Sequence, residues 1–362
     1  MASAAVAEAP ISKIEQASSP SPDAHRREYT ITDAVRAKLA NDAIPPLRLY
    51  RSLPDEFVSS ENPQEAAGGL AKPQHGLDPA SWAHYHKFLE SDRATRATKA
   101  SGVQFKLIHL LRHAQGIHNQ AEERVGTEQW DAVESLKPEY LDPKLTEKGE
   151  QQCAEFAQRL PRAMEQGLSP QLVLVSPFQR TLQTAELCLD ALPGSAAPWV
   201  ALEHARETIG EQECDHRRTV TPEIEAQHPR VQFQLLLERE DTQWTAPHRE
   251  TDEELLLRCA RLVDVIFSLP EQRVLVVCHA GIINILSRLL GRPLSDRSVF
   301  DSEQAQAQQA ETDPAPSHTL EDVKRMFEED KTLEVEGIRS TNCQLLTFCV
   351  ARLPPNAPKQ KS

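Results

Sequence analysis

The sequence lacks any apolar run close to the ~18 residues that a membrane-spanning helix needs. The N-terminal stretch "MASAAVAEAPISKIEQASSPSPDAHRREYT" also lacks the basic segment and the apolar core of a signal peptide. Glu8, Glu15 and Asp23, with no arginine before Arg26, disfavour an organellar transit peptide as well. We therefore expect a soluble protein that is not secreted and that resides in the cytoplasm, with the nucleus as a further compartment open to it.

Positive charge is also scarce in this chain. There are 40 Lys and Arg residues against 54 Asp and Glu residues, which gives a formal net charge of -14. A protein of that sign does not attract nucleic acid or an anionic membrane over long distances, so neither is expected as a partner. An anionic ligand would have to be bound by a few cations gathered at one place.

Cysteine shows no pairing pattern. It occurs at seven scattered positions, without a C-x-x-C pair and with an odd total, which fits reduced thiols better than a disulfide framework. His109, His113 and His118 are close in sequence, but no acidic cluster accompanies them, and a strand would hold the first two a long way apart for shared ligation. We therefore predict neither a metal site nor a cofactor.

Composition divides the chain into a central domain and flanking segments. Residues 1–27 are rich in Ala, Ser and Pro and predict a disordered tail. Residues 28–102 contain the short helical patterns "TDAVRAKL" and "DPASWAHYHKFLESD" and predict a lead-in that packs on the main domain. The main domain is expected at 103–352, with an exposed polar insertion near 292–335, and a C-terminal tail follows at 353–362.

Apolar strand-like runs alternate with amphipathic helical patterns in the central domain. The runs lie at 103–111, 171–176, 198–202, 273–279 and 343–350. The helical patterns lie at 146–164, 178–192, 251–269 and 280–290. Continuous apolar strands joined by amphipathic helices are typical of a mostly parallel sheet that is covered on both faces. The pattern therefore predicts an α/β fold, a three-layer α/β/α sandwich.

Polar residues follow three of the predicted strands directly. Arg112 and His113 come after "LIHLL", His279 comes after "VLVVC", and Arg180 lies in the first turn of the helix that follows "LVLVSP". Ligands of parallel sheets bind outside the carboxyl ends of the strands. A helix N-terminus favours anions, and an arginine adds a planar fork of donors. These residues predict an anion site at one edge of the sheet.

The run "PWVAL" is followed by a segment that supplies Glu207 and then Arg217 and Arg218. Other carboxylates of the same segment stay open as alternatives to Glu207, namely Glu203, Glu211 and Glu213. Two arginines and two histidines can surround a tetrahedral dianion, which leaves one carboxylate to move a proton. A neutral imidazole can attack phosphorus, so the set predicts phosphoryl transfer.

Five sequence blocks carry a family resemblance. In chain order, "LLRHAQGIHN", "DPKLTEKG", "SPFQRTLQTAE", "ARETIGE" and "VVCHAGIIN" resemble the signature blocks of the histidine phosphatase (phosphoglycerate mutase-like) superfamily. The lead-in "GLDPASW…FLESD" is most similar to the fungal phosphomutase-like branch. The resemblance implies a phosphoglycerate mutase-like fold and catalysis through phosphohistidine.

The resemblance also implies roles for single residues. His113 would be the nucleophile that accepts the phosphoryl group, and Glu207 would give a proton to the leaving oxygen. The implied ligands of the phosphoryl group are Arg112, Arg180, His279 and the loop residue Asn119. Ala114 stands where the family usually has glycine, which a negative φ would allow. Arg217 and Arg218 are candidates for substrate contacts and equally for a solvated charged turn.

The expected function is that of a metal-independent phosphoric monoester hydrolase, similar to the histidine acid phosphatases, acting on a small phosphorylated metabolite. A phosphomutase of the phosphoglycerate mutase type is the first alternative, because it would use the same pocket. Mutases need extra cations to hold the substrate, and beyond the core set only Arg124, Arg217 and Arg218 are available, which favours hydrolysis. A non-catalytic phosphate-binding regulatory protein is the second alternative. The sequence does not indicate the oligomeric state.

Overall fold

A computed structural model of the chain describes residues 29–40, 50–52, 87, 89–90, 104–165, 167–192, 197–236, 238–290 and 340–352. The predicted tails at 1–27 and 353–362, the predicted insertion near 292–335 and most of the lead-in lie outside these residues. The boundaries of those segments therefore stay predictions. Within the described ranges, no helix has both the length and the apolar character that a membrane crossing requires.

The strands of the described part form one seven-stranded sheet. They are β1 Tyr50–Ser52, β2 Gln104–Arg112, β3 Leu172–Val175, β4 Trp199–Ala201, β5 Val231–Gln232, β6 Arg273–Cys278 and β7 Leu345–Arg352. Their order across the sheet is β1-β7-β2-β6-β3-β4-β5. The five strands from β2 to β5 in that order are parallel, whereas β7 is antiparallel to β2 and β1 is antiparallel to β7. The mostly parallel sheet is confirmed, and only the short β1 and β5 were not predicted.

Helices follow most of the strands. They are α1 Asp33–Leu39, α2 Ile117–Val125, α3 Thr127–Ala132, α4 Glu147–Glu165, α5 Gln179–Leu189, α6 Pro222–Gln227, α7 Asp252–Ser268 and α8 Ala280–Leu290. Short 3-10 turns lie at Glu134–Leu136, Pro138–Tyr140, Glu203–Ala205 and Glu213–Asp215. The start of α7 shows why the helices begin where they do. The Thr251 hydroxyl accepts from the Glu254 amide, and the Glu254 carboxylate accepts from the Thr251 amide, which closes a capping box.

Two apolar cores lie on opposite faces of the sheet. One core joins Leu110 of β2 to apolar side chains of α7 and α8, and the other joins the next residue, Leu111, to α4 and α5. Successive side chains of a strand point to opposite faces, so a strand that is apolar throughout must be covered twice. The predicted three-layer α/β/α sandwich is confirmed.

Part of the segment before β2 packs on the main sheet and its helices. Val35 and Leu39 of α1 belong to the core that contains α7. The Lys38 ammonium lies 2.5 Å from an Asp264 carboxylate oxygen on α7. The Tyr29 hydroxyl donates to Glu271 at 2.8 Å. This part of the lead-in therefore rests on the face opposite α4 and α5.

Candidate active site

The carboxyl ends of three adjacent parallel strands bring the first polar groups together. Arg112 pairs with Cys278 in the register of β2 and β6, so the next residues, His113 and His279, stand side by side. Their ring centroids are 5.1 Å apart, and both rings are buried. On the other side of β6, β3 ends just before Ser176. The two-histidine edge that the sequence predicted is therefore present in the structure.

The His113 ring is fixed in one tautomer. Its Nδ1 lies 2.7 Å from the carbonyl oxygen of Ala114, and a carbonyl only accepts, so the proton of the neutral ring is on Nδ1. The Nε2 lone pair is left for a reaction partner. Burial, with the positive charges of Arg180 and Arg112, holds the pKa of His113 well below its usual range. The ring is therefore neutral at neutral pH, as a nucleophilic imidazole must be.

His279 is held between two side chains. Arg180 Nε donates to His279 Nδ1 at 3.2 Å, so the ring proton is on Nε2, which lies 2.8 Å from the Ser176 hydroxyl oxygen. Burial and the charge of Arg180 lower the pKa of His279 well below the usual value. This histidine is a neutral donor at the edge of the site.

Arg180 is the centre of a buried charge network. Its Nη1 donates to the Cys214 carbonyl at 2.6 Å, and its Nη2 contacts Asp215 Oδ1 at 3.0 Å. Asp215 Oδ2 in turn contacts Arg249 Nη1 at 2.8 Å. The guanidinium carbon of Arg180 lies 4.5 Å from the centre of the Phe178 ring. We refer to the charged residues as the Arg180–Asp215–Arg249 chain, which fixes the plane of the Arg180 fork.

Arg112 has an incomplete set of hydrogen bonds. Its Nη1 donates to the Ser340 carbonyl, while its buried Nε has no hydrogen-bond partner in the described ranges. Burial lowers the pKa of Arg112, and the carboxylate of Glu207 opposes that effect. A buried donor without a partner costs ~1–3 kcal/mol, so such a donor fits a place where an anionic ligand accepts from it.

His118 also faces the site, although the sequence analysis did not include it among the site residues. Its ring centroid is 5.5 Å from that of His113, and its buried Nδ1 has no hydrogen-bond partner in the part of the chain that the structure describes. Burial lowers the pKa of His118 well below the usual value. A Cβ at Gly116 would lie 2.7 Å from the His118 ring, so the glycine is what leaves room for it.

Asn119 stabilises the loop that follows β2. Its Oδ1 accepts from the Gly116 amide at 3.0 Å and from Asn342 Nδ2 at 3.4 Å. Asn342 Nδ2 also donates to the His113 carbonyl at 3.2 Å. The amide oxygen of Asn119 is thus used by the fold, and a contact with phosphate, as predicted, would be made through its amide nitrogen.

Glu207 lies at the N-terminus of α8. One carboxylate oxygen accepts from the Gly281 amide at 3.1 Å, and the other accepts from the Thr208 amide at 3.0 Å. A methyl group at Gly281 would overlap the second oxygen, so glycine is required for this close approach. These backbone donors orient the carboxylate, which forms no ion pair with a side chain of the described residues.

The loop that carries Glu207 is anchored by an ion pair. Arg258 donates to both carboxylate oxygens of Glu250, at 2.7 and 2.6 Å, and also to the Glu207 carbonyl at 2.9 Å. Glu250 accepts from the Ile209 amide at 3.0 Å as well. A bidentate pair of this kind is geometrically specific, so it sets where the Glu207 carboxylate lies.

Comparison with known proteins identifies the family. The sequence profile of the histidine phosphatase superfamily (branch 1) matches residues 108–318, more than half of the chain. The chain belongs to the histidine phosphatase superfamily. The matched span contains the two strand-end histidines and residues that the sequence analysis placed beside them, among them Arg112, Arg180 and Glu207. The predicted family is therefore confirmed.

Relatives within this histidine phosphatase superfamily come from plants and fungi. The chain is 32% identical over 216 residues to a phosphoglycerate mutase-like protein of Arabidopsis thaliana, covering 53% of this chain and 77% of that protein. It is 32% identical over 252 residues to "Probable phosphoglycerate mutase PMU1" of Saccharomyces cerevisiae, covering 60% and 84% of the two chains. Among solved structures, the mycobacterial glucosyl-3-phosphoglycerate phosphatase is 22% identical with a TM-score of 0.31, covering 53% and 82%.

The block "DPKLTEKG" holds two parts of the site in place. Asp142 Oδ1 accepts from the Gln179 amide at the start of α5, at 2.8 Å. The Thr146 hydroxyl donates to Gln115 Oε1 at 2.8 Å, and its amide donates to the Gln115 carbonyl at 2.9 Å. A Cβ at Gly149 would overlap that carbonyl oxygen. The block therefore fixes both the loop after β2 and the first turn of α5.

Arg217 and Arg218 do not join the histidine cluster. Arg217 is buried, with Nε donating to Glu203 at 3.2 Å and its terminal nitrogens donating to the backbone carbonyls of 218 and 238–240. Arg218 Nε lies 3.2 Å from an Asp142 carboxylate oxygen. These contacts favour structural roles for both residues, against the predicted substrate contacts.

Several groups that shape the site were missed by the sequence analysis. His118 had a signal, because it stands in the same block as His113, and Ser176 had one as the last residue of a strand-like run. Asp215, Arg249 and Glu250 had none. The partners of Asp215 and Arg249 lie 34 or 35 residues away in the sequence, and Glu250 pairs across eight residues with Arg258, a spacing without a recognisable pattern.

The buried neutral histidines make a prediction for stability. Burial lowers the pKa of His109 to about 3, and those of His113, His118 and His279 lie well below the usual value. Below pH ~6.5 the unfolded chain binds more protons at these residues than the folded chain, so the free energy of unfolding falls as the pH falls. We expect a loss of up to about 1.4 kcal/mol per histidine between pH 7.5 and 5.5.

Urea unfolding at the two pH values measures this loss. The variant His109→Gln removes one of the four groups and should lose less stability between the same pH values, by about 1.4 kcal/mol. A free energy of unfolding that is flat over this range would show that the rings are not held neutral.

Proposed function

We propose that the protein is a phosphomonoesterase that hydrolyses a small phosphorylated metabolite, without a metal ion, through a phosphohistidine intermediate at His113. One observation carries the proposal. The His113 ring is neutral, its Nδ1–H is fixed on the Ala114 carbonyl, and its Nε2 is left for attack among the charges of Arg112 and Arg180. This is the tautomer and the electrostatic setting that attack on a phosphate ester requires.

In the first step, His113 Nε2 attacks phosphorus, the N–P bond forms and the bond to the leaving oxygen breaks. Arg112 and Arg180 stabilise the charge on the equatorial oxygens, and the Nε2–H of His279 becomes a third donor when it turns from Ser176 to the phosphoryl group. Glu207 gives its proton to the leaving oxygen, which would otherwise depart as an alkoxide. The alcohol then leaves the site.

In the second step, water attacks the phosphoryl group on His113. Glu207, now a carboxylate, takes a proton from that water, so the same group acts first as an acid and then as a base. The N–P bond breaks, and inorganic phosphate and neutral His113 are released. Two backbone amides and the Arg258 anchor support this role for Glu207, because they hold its carboxylate where no salt bridge from the described part of the chain competes for it.

The cations around the pocket are mostly paired, which supports hydrolysis. A mutase would instead return the phosphoryl group to a second position of the substrate. A mutase must hold a second anionic group and keep water out, which calls for further free cations. The neighbouring arginines of the described ranges are instead paired with carboxylates: Arg206 with Glu203 and Asp241, Arg217 with Glu203, Arg249 with Asp215, and Arg258 with Glu250. Few cations are therefore left to bind a second phosphate or a carboxylate of the substrate.

A phosphomutase is the second candidate. The relatives from Arabidopsis thaliana and Saccharomyces cerevisiae carry phosphoglycerate mutase in their names, and a mutase would use His113 in the same way. The two functions separate in one experiment, which follows phosphate release from a panel of phosphorylated metabolites beside a coupled assay for phosphoglycerate isomerisation. Phosphate release without isomerisation supports the hydrolase, and the reverse result supports the mutase.

We expect turnover of an aryl phosphate to persist in a chelator and to fall with vanadate or inorganic phosphate. The phosphoryl group would be bound by guanidinium and imidazole groups, so no divalent ion is needed and oxyanions compete for the same donors. Initial rates with and without EDTA, and a vanadate titration, measure both effects. Activity that is lost in EDTA and restored by a divalent ion would contradict the proposed mechanism.

A further inference from the structure

Three buried cysteines from separate parts of the chain meet close to His113. Cys153 of α4, Cys188 of α5 and Cys343 just before β7 have sulfur atoms that all lie within 4.8 Å of one another. The sulfurs of Cys188 and Cys343 are 3.3 Å apart. We refer to the three residues as the cysteine cluster. The sequence analysis read them as scattered thiols, and only the fold brings them together.

The cysteine cluster is connected to the nucleophile through the backbone. The Cys343 amide donates to the His113 carbonyl at 3.2 Å, and Asn342 Nδ2 donates to the same oxygen at 3.2 Å. Cys343 has a φ of 62°, in the left-handed region that residues other than glycine rarely adopt. The turn before β7 therefore has an uncommon conformation and also contacts the backbone of His113. A displacement of Cys343 would therefore displace His113 as well.

The surroundings of the cysteine cluster favour one kind of chemistry. All three residues belong to the apolar core between the sheet and the helices α4 and α5. A soft metal ion would need up to three thiolates there, and that negative charge is costly in an apolar core. A disulfide is neutral and needs no further ligand. The close contact of Cys188 with Cys343 therefore points to oxidation rather than to metal binding.

We propose that Cys188 and Cys343 form a site of oxidative modification, at which a peroxide joins them in a disulfide that displaces His113. The S–S distance would fall from 3.3 Å to ~2.05 Å. Because α5 is packed in the core, the turn that carries Cys343 moves towards it. That movement draws the Cys343 amide away from the His113 carbonyl.

The reaction balances with hydrogen peroxide as the oxidant. Cys343 is the most accessible of the three, at 8% exposure. Its sulfur attacks one peroxide oxygen, the O–O bond breaks, and the departing hydroxide takes the thiol proton and leaves as water. Cys343 is now a sulfenic acid.

The disulfide forms in a second displacement. The Cys188 sulfur attacks the Cys343 sulfur, the S–S bond forms and the S–O bond breaks. The Cys188 proton passes to the departing hydroxide, which leaves as water. Two thiols are oxidised and one peroxide is reduced to two waters. Cys153 is not a partner in the disulfide.

The test uses the full-length reduced protein and hydrogen peroxide. Peptide mapping by mass under non-reducing conditions should find a Cys188–Cys343 link, and turnover of an aryl phosphate should fall with the same time course. A displacement of about 1 Å can cost up to ~100-fold in rate, and we expect a loss of that order. A thiol reductant should restore both the free thiols and the activity. The peptide map does not depend on turnover. It therefore tests the Cys188–Cys343 disulfide separately from the proposed phosphatase function.

Matched variants separate this site from general oxidation damage. Cys188→Ser should keep its activity in peroxide, whereas Cys259→Ser, which removes a buried cysteine of the other core, should be inactivated like the wild type. Three results would each overturn the proposal: wild-type protein that stays reduced at peroxide concentrations that oxidise free glutathione, a link that contains Cys153 instead, or a Cys188–Cys343 disulfide with unchanged turnover. The measurements on the wild type decide the question even if the Cys188→Ser variant does not fold.

Discussion

Replacing His113 by alanine is expected to abolish turnover and any acid-labile phosphoenzyme. Alanine offers no nitrogen to phosphorus, and the remaining cations bind phosphate without providing a route for its transfer. Loss of a catalytic nucleophile costs on the order of 10⁴–10⁶-fold in rate. Rapid quenching of the protein with a labelled phosphate ester, followed by acid and alkaline treatment of the denatured chain, measures the intermediate directly, because phosphohistidine survives alkali and not acid.

The control for this variant is His109→Gln. His109 lies on β2, four residues before His113, and its Nδ1 is 2.9 Å from the hydroxyl oxygen of Thr347 on β7. The control should retain turnover and form the phosphoenzyme. A phosphoenzyme that still forms in His113→Ala would show that another residue is the nucleophile.

Replacing Glu207 by glutamine is expected to slow the turnover of alkyl phosphates much more than the turnover of aryl phosphates. Glutamine keeps the size of the side chain but cannot donate a proton to the leaving oxygen. With alkyl phosphates the rate should fall by roughly 10²–10⁴-fold, the usual range for general acid catalysis. With an aryl phosphate, whose leaving group needs little protonation, the loss should be much smaller. The ratio of kcat values for the two substrates is the measurement.

The control for Glu207→Gln is Glu213→Gln, which changes a carboxylate of the same loop. Glu213 lies 3.3 Å from a nitrogen of His216, outside the contacts of the pocket described above. The control should lower the rate little and equally for both substrates. If Glu207→Gln slows both substrates to the same extent, Glu207 has a structural role, and Glu211 becomes the next candidate for the acid.

The sheet and the residues at its edge were predictable from sequence because each depends on short-range pattern. Continuous apolar runs joined by amphipathic helices have few ways to fold other than a covered parallel sheet. A polar residue directly after such a run must lie at the carboxyl edge. His113 and His279 were therefore placed correctly by local rules, together with the elements that carry them.

The groups that hold the site were not predictable, because they depend on where loops meet. From sequence, Arg217 was equally a candidate for a substrate contact and for a solvated charged turn, yet the fold places Glu203 and several carbonyls around its guanidinium. Arg249 lies 34 residues from its partner Asp215, and no periodicity links them. The cysteine cluster is a third case, with Cys188 and Cys343 separated by 155 residues. Such contacts form only when the sheet has folded, and no pattern of neighbouring residues in the sequence predicts them.

The Arg180–Asp215–Arg249 chain determines the charge that a ligand meets. Together with Arg112 and Glu207, three guanidinium groups face two carboxylates, and the neighbouring histidines are neutral, so the described pocket has a surplus of one positive charge. A phosphate monoester dianion brings two negative charges, and a buried site disfavours the remaining one. Binding of the dianion then favours uptake of a proton, and by reciprocity a lower pH strengthens binding. Under the proposed function, the same coupling brings with each bound dianion the proton that the leaving oxygen requires.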